Sequence, residues 1–225
     1  HVNHLRPDKL LSIATGVDLA RFDPAAHDRL KVRHEFAIPA DAPLIGMIAM
    51  MRPMKGHVVL MAALPALVAA LPTVHVLIVG DVLDDNPMPQ ELRAEVARLG
   101  LSQRVHFAGL RQDIPDILAA LDLKVLPQSL TQAMAMGIPV VSTTVGAIGE
   151  VVEEGVTGRQ VKPHDVAGFT AAVIAQLTDR TTAQRLALAG QERVRQFYSV
   201  ESMTRRTEAL YDRLRAGQPA WPEPS

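Results

Sequence analysis

The sequence predicts an α/β protein, a doubly wound parallel sheet flanked by helices, Rossmann-like in type. Three observations predict it. Short runs that are apolar at nearly every position alternate with longer runs of helical spacing. The short runs lack the in–out alternation of a sheet with one wet face, so both faces are covered. Polar and glycine-rich stretches follow the apolar runs, where such a sheet presents its ligand-binding loops.

The strands are read at "PLIGMIAM" (43–50), "VHVLIVG" (74–80), "RVHFAG" (104–109), "DLKVLP" (122–127) and "IPVVST" (138–143), with a weaker one at "GRQV" (158–161). Helices are read at 56–70, 89–99, 113–121, 129–136, 164–178, 181–197 and 200–215. Pro65 is expected to kink or interrupt the first of these. Asp113 is placed as the N-cap of the 113–121 helix, with Pro115 in its first turn. Ser129-x-x-Gln132 has the spacing of a capping box, and Gly137 ends that short helix. Strand–helix alternation implies right-handed crossovers between parallel strands. The last three helices follow the final strand without a partner strand, so they pack on the sheet flank or on something outside the chain.

The chain has 225 residues, 48% hydrophobic and 21% charged, enough for one sizeable core or two smaller ones. A net charge of −1 argues against a general nucleic-acid or membrane-surface binder. Cysteine is absent, which excludes a disulfide framework, a thiolate metal site and a cysteine nucleophile, and is compatible with a reducing cytoplasm. No apolar run reaches the length of a membrane span. The start "HVNHLRPDKL" is not a signal peptide and lacks an initiator Met, so a longer protein is expected. The Pro-rich end, 217–225, is expected to be a disordered tail.

The carboxyl-end loops hold the candidate site. "AMMRPMKGH" (49–57) brings Arg52 and Lys55 to a helix start, a favoured place for an anion, and Gly56 permits close backbone approach. The alternative there is a solvated loop with two ordinary cations. Gly109 and Leu110 are placed to border a flat ring. The start of the 129–136 helix points free N–H groups where a phosphate could sit, and Gln132 is placed to bond a sugar hydroxyl. Gly146 and Gly149 permit tight backbone in the 142–158 passage. His34, His75 and His106 read as surface or satisfied core residues, and His57 is the one histidine beside the candidate site. No Ser–His–Asp arrangement, no GxxxxGK(S/T) and no GxGxxG after the first strand is visible, so a hydrolase and a dinucleotide oxidoreductase lose ground.

Taken in order, these strings resemble the donor half of retaining glycosyltransferases of family 4 (glycosyl transferases group 1). "TGVDLARFDP" is similar to that family's NGVD-x-x-x-F-x-P segment, with Thr15 in place of Asn, and "RPMKGH" is similar to its phosphate loop. "VHVLIVGD", "RVHFAGLRQDIPDIL", "AMAMGIPVVSTTVGAIGEVVEEGVTG" and "VKPHD" follow in family order. The resemblance implies the C-terminal, donor-binding domain of a two-domain GT-B enzyme. Residues 1–24 would be the linker from a missing N-terminal domain, 25–198 the Rossmann-like domain, and 199–216 a helix packing toward the missing half. The donor would be a UDP-, GDP- or ADP-sugar, the acceptor a glycan or lipid, and the transfer metal-independent with no cofactor. Lys55 and Arg52 would face the diphosphate, the N–H groups of Gln128, Ser129 and Leu130 would bind it, Gln132 would sit on the ribose, and Gly56, Gly109 and Leu110 would complete the site. A cytoplasmic location is implied, with the inner membrane reached through the missing domain.

Three positions depart from the family pattern. Met50 stands where the family has Arg. Gln132 stands for the second Glu of an E-x7-E pattern. The first Glu and its glycine-rich loop have no counterpart near Leu126–Gln128, so no catalytic residue is assigned, and the expectation is that a mobile acidic segment is omitted from the sequence. Two other readings stay open: a non-catalytic nucleotide-sugar-binding module, and another GT-B enzyme such as a sugar-nucleotide epimerase.

Overall fold

The computed structural model describes residues 13–81, 86–146 and 148–218. The tail beyond 218, and residues 1–12 of the expected linker, lie outside the described residues. All six expected strands form: β1 (Leu44–Ile48), β2 (His75–Val79), β3 (Val105–Gly109), β4 (Leu123–Val125), β5 (Val140–Thr143) and β6 (Arg159–Val161). They make one parallel sheet in the order β3-β2-β1-β4-β5-β6. Leu44 lies opposite His75 and Ile45 opposite Leu123, so β1 is the central strand from which the chain winds outward in both directions.

The helices are α1 (Arg29–Glu35), α2 (His57–Ala70), α3 (Met88–Arg98), α4 (Ile114–Ala120), α5 (Leu130–Ala135), α6 (Ile148–Val151), α7 (Val166–Thr178), α8 (Arg180–Phe197) and α9 (Val200–Arg215). Strand residues of alternating parity point to opposite faces. Ile45, Met47, Val76 and Ile78 pack against Leu60, Leu64 and Leu67 of α2 and Phe169 of α7. Leu44, Ile48, Leu77 and Val140 pack against Val32 of α1, Ile117 and Leu118 of α4, Met134 of α5 and Val194 of α8. Apolar side chains therefore fill both sides of the sheet, which is why its central strands read as largely apolar runs.

Two expectations need correction. Pro65 does not interrupt α2, which is continuous from His57 to Ala70. It lies on the exposed side of that helix, where water can take over the lost backbone bond. The helix α1 was not expected. Asp28 starts it by accepting from the Leu30 N–H at 2.8 Å. Its Arg33 is fully buried, donating to the carbonyls of Ala120, Pro39 and Ala42, each at 2.9 Å, and to Asp122 at 2.7 Å. Asp122 also accepts the Leu44 N–H at 2.8 Å. Arg33 and Asp122 thus tie the amino ends of β1 and β4 together. Losing one partner of such a pair costs roughly 3 kcal/mol, the low end for a buried pair, because Asp122 keeps some water and Arg29.

Of the final helices, α7 packs against α2 and the sheet, α8 against α5, and α9 against α8. Of α9 only Ser202 is buried. The described part of the expected linker is anchored at the α8–α9 joint, where the Val17 N–H donates to the Tyr198 carbonyl at 2.7 Å and the Val200 N–H to the Val17 carbonyl at 3.0 Å.

Candidate functional site

In a doubly wound sheet a crevice opens outside the carboxyl ends of the two strands from which the winding reverses. Here those strands are β1 and β4. A cavity of about 390 Å³ sits there. Its walls are Ile48, Ala49 and Met50 after β1, Val79 and Gly80 after β2, Leu110, Arg111 and Ile114 between β3 and α4, and Gln128, Ser129, Thr131 and Gln132 between β4 and α5. The volume is within the range of small-ligand sites.

Two glycines allow this arrangement. Gly80 has φ 128°, and a Cβ there would stand 2.0 Å from the Ala49 carbonyl oxygen. Gly56 has φ 84° and occupies the N-cap position of α2; a Cβ there would meet the Leu126 side chain at 3.1 Å. The β1–α2 connection therefore rests against the β4–α5 turn. Arg52 precedes a 3₁₀ turn, Pro53–Lys55, and the half-buried Lys55 closes it.

The β4–α5 turn is short and strained. Four residues, Leu126 to Ser129, join β4 to α5, and two of them are left-handed non-glycines: Leu126 at φ 66° and Ser129 at φ 59°. Each such residue costs of the order of 1–2 kcal/mol. Ser129 occupies the N-cap position, yet its side chain makes no capping bond. The expected capping box is therefore not formed, because the left-handed backbone of Ser129 departs from the extended conformation that such a cap requires. The chain is continuous through this turn, and no Asp or Glu occurs between Asp122 and Glu150. In the given sequence β4 leads to α5 through this four-residue turn, which carries no acidic residue.

Beneath the turn lies Lys124, which sequence reasoning passed over. It is fully buried on β4. Its Nζ donates to the Val125 carbonyl at 2.7 Å and to the Leu126 carbonyl at 3.1 Å. Burial alone pulls its pKa down to about 7. The signal was a lysine inside an otherwise apolar strand.

Arg111 forms part of the opposite wall. It donates to Asp113 at 2.7 and 2.8 Å and to Glu35 of α1 through both terminal nitrogens. These bonds hold the Asp113 and Glu35 carboxyls below their ordinary pKa values. Asp113 does occupy the N-cap position of α4, but its side chain serves Arg111 and makes no cap bond. With two carboxylates on it, Arg111 is a rigid wall and not a free anion clamp.

His57, at the first position of α2, is fully buried, and neither ring nitrogen has a hydrogen-bond partner. Burial pushes its pKa down to about 4; the nearby Arg52 carbonyl opposes the shift without reaching bonding geometry. His75 and His106 satisfy each other through an Nδ1···Nε2 contact of 3.0 Å, as expected of core histidines.

Of the predicted binding residues, Leu110, Gln128, Ser129 and Gln132 line the cavity. Gly109 stands at its rim, with its carbonyl accepting from the Gly80 N–H at 2.8 Å. Leu130 is buried in the core, where only its backbone is available to a ligand. Arg52, Lys55 and Gly56 lie further along the β1–α2 connection and do not line the cavity. Met50, Gly80, Arg111 and Thr131 belong to the walls but were not among the predicted binding residues. Among the described residues, no group of three or more His, Cys, Asp or Glu is disposed to hold a metal ion, and no helix is long and apolar enough to cross a membrane.

Comparison with known proteins bears on this geometry. Residues 42–179 match the model of the family described as "Glycosyl transferases group 1". The chain is similar to the lipopolysaccharide core biosynthesis mannosyltransferase LpsB of Rhizobium meliloti, with 30% identity over 212 residues, covering 90% of this chain and 60% of that protein. It is similar to a D-inositol 3-phosphate glycosyltransferase of Mycolicibacterium smegmatis, with 32% identity over 192 residues, covering 81% of this chain and 42% of that one. Among solved structures it is similar to Anabaena HepE in complex with UDP and glucose, with TM-score 0.84 and 26% identity, covering 93% of this chain and 58% of HepE. The chain thus spans roughly half the length of these proteins. Sheet order, the switch-point cavity and the family match agree: this chain belongs to the glycosyl transferases group 1 family and has the Rossmann-like sheet of GT-B glycosyltransferases.

Proposed function

We propose that this chain is the donor-binding half of a retaining glycosyltransferase, which moves a sugar from a nucleoside diphosphate-sugar to a glycan or lipid-linked acceptor. The observation that carries the reading is the cavity between β1 and β4, with the start of α5 on one wall. The first N–H groups of a helix have no intrahelical partner and are available to an anion. In this reading the N–H groups of Gln128, Ser129 and Leu130 face the diphosphate, and Lys55 with Arg52 closes over it from the β1–α2 turn. Gln132 meets the ribose, and Gly109 and Leu110 border the base. HepE, solved with UDP-glucose as well as with UDP and glucose, supports a nucleotide-sugar as ligand.

The chemistry asked of these residues is electrostatic. When the bond between sugar and diphosphate breaks, charge develops on the leaving phosphate oxygens. Oriented amides and a cation at that point stabilise it without reorganising. No metal or cofactor is assigned a role. The acceptor and the group completing the reaction belong to an N-terminal half, so the 225 residues alone are expected not to turn over donor. Action in the cytoplasm, at the inner membrane for a lipid acceptor, belongs to the same proposal.

A second reading is a nucleotide-sugar-binding module without catalysis. The absence of any Asp or Glu between Asp122 and Glu150 favours it, because the β4–α5 turn itself supplies no carboxylate. A thermal-shift comparison of UDP, GDP and ADP tests the binding claim common to both. A nucleotide that binds the folded state raises the midpoint by an amount that grows with its concentration. No shift with any of the three at millimolar concentration defeats both readings. Transfer assayed with the complete protein separates one from the other.

A further inference from the structure

Lys124 is wholly enclosed beneath the candidate site and is unused by the reading above. A buried amine is costly unless it is paired, and among the described residues no carboxylate pairs with it. Its neighbours in the sheet, β1 and β5, carry no titratable side chain, and neither do α5 and α7. On α4, Asp116 is held by His27 and Lys31, while Asp113 at its N-cap is held by Arg111. His57 on α2 is neutral, and no charged group of α4 or α8 contributes to the Lys124 titration. The bonds made by its Nζ go to two successive carbonyls, those of Val125 and Leu126, where the chain leaves β4 and turns left-handed. Three residues on, Ser129 lines the cavity.

We propose that Lys124 is a positioning residue for the diphosphate: from beneath the β4–α5 turn its amine fixes the Val125 and Leu126 carbonyls, and with them the N–H groups that meet the ligand, and it supplies the buried counter-charge to that ligand. The proposal rests on the donor-binding reading. Two blander roles for Lys124 are separable from it. A lysine that only filled space would be served as well by methionine. A lysine that only held carbonyls would do so in neutral form, since an amine still donates two N–H bonds.

The charge has a measurable consequence. Burial leaves Lys124 near half-protonated at neutral pH. A diphosphate at the turn favours the ammonium. A unit charge about 10 Å away, at an effective dielectric of about 20, moves a titration by about one pH unit. Binding then takes up about half a proton at pH 7.5, and affinity falls about fivefold between pH 7 and pH 9.

The test is isothermal titration of UDP into the wild-type chain and into Lys124→Met. Each is run at pH 7.5 in two buffers of different ionisation enthalpy, and again across pH 7 to 9. The wild type is expected to show the proton uptake and the pH slope. Lys124→Met is expected to bind several-fold more weakly at pH 7, with neither uptake nor slope, while its thermal midpoint at pH 6 is raised. Weaker binding by a more stable protein is not a folding defect. If Lys124→Met does not fold, the wild-type uptake and slope decide alone. Wild-type binding without uptake or slope, or equal binding by Lys124→Met, overturns the role of Lys124 and leaves the donor-binding reading standing. Wild-type failure to bind UDP, GDP or ADP overturns both.

Discussion

The backbone N–H of Met50 donates to the side-chain oxygen of Gln128 at 3.3 Å. The contact spans the crevice from the end of β1 to the β4–α5 turn. It is long for an amide bond and is partly exposed, so it contributes no more than about 1 kcal/mol. In the proposed complex Gln128 acts through its backbone and not through its amide. Gln128→Ala is therefore expected to lower the thermal midpoint by at most about 4 °C and to leave UDP affinity within about threefold. Calorimetry showing a loss of tenfold or more would move the Gln128 side chain into the ligand contacts.

Lys55 is the opposite case. Charge-assisted bonds contribute about 1.5–3 kcal/mol each, so Lys55→Ala is expected to weaken UDP binding by at least about tenfold while the fold is kept. Unchanged affinity in calorimetry removes Lys55 from the site.

Gly80 carries a steric prediction. Its backbone is in a region that side chains avoid, and a Cβ would stand 2.0 Å from the Ala49 carbonyl. Gly80→Ala is expected to cost at least about 2 kcal/mol and to disturb the cavity wall. Gly109→Ala, at φ 64° with nothing near the added methyl, is expected to cost only about 1 kcal/mol. Urea midpoints of the two variants check the difference; equal losses would show that φ alone matters.

His57 predicts an acid limb. Its folded pKa lies near 4, against about 6.5 for the unfolded chain. Between these values the unfolded state binds the proton and the folded state does not, so stability is lost as pH falls through that window. The loss from His57 is about 2 kcal/mol by pH 5. His75 and His106 are lowered in the same direction and add to it. His57→Leu is expected to narrow the gap between urea midpoints at pH 7 and pH 5. An unchanged gap would mean that His57 is solvated or partnered in the folded protein.

Much of the fold was legible because it depends on pattern. The central strands were marked by apolar runs, since burial on both faces leaves little room for polar residues, while β6, with Arg159 and Gln160 half-buried at the sheet edge, gave only a weak signal. The helix α1 was not legible. It is short and charged, and its buried cation, Arg33, is satisfied by the carbonyls of the loop just after the helix and by Ala120 and Asp122, far along the chain. The candidate site was legible where residues follow a strand at its carboxyl end, as for Leu110, Gln128 and Gln132, which line the cavity. It was not legible where tertiary contacts override local chemistry. The spacing from Ser129 to Gln132 permits a capping box, but the four-residue turn forces Ser129 left-handed. Asp113 has the right place for a cap, but Arg111 takes its carboxylate. Lys124 and His57 were hidden for a related reason: their burial is set by what packs on them, which spacing does not report.

The central claim is that the crevice between β1 and β4 holds a nucleoside diphosphate. A crystal structure of the chain with UDP tests it most directly. The account predicts diphosphate density against the N–H groups of Gln128, Ser129 and Leu130, with the Lys55 ammonium turned onto it. Density at another face, with that crevice empty, would contradict it.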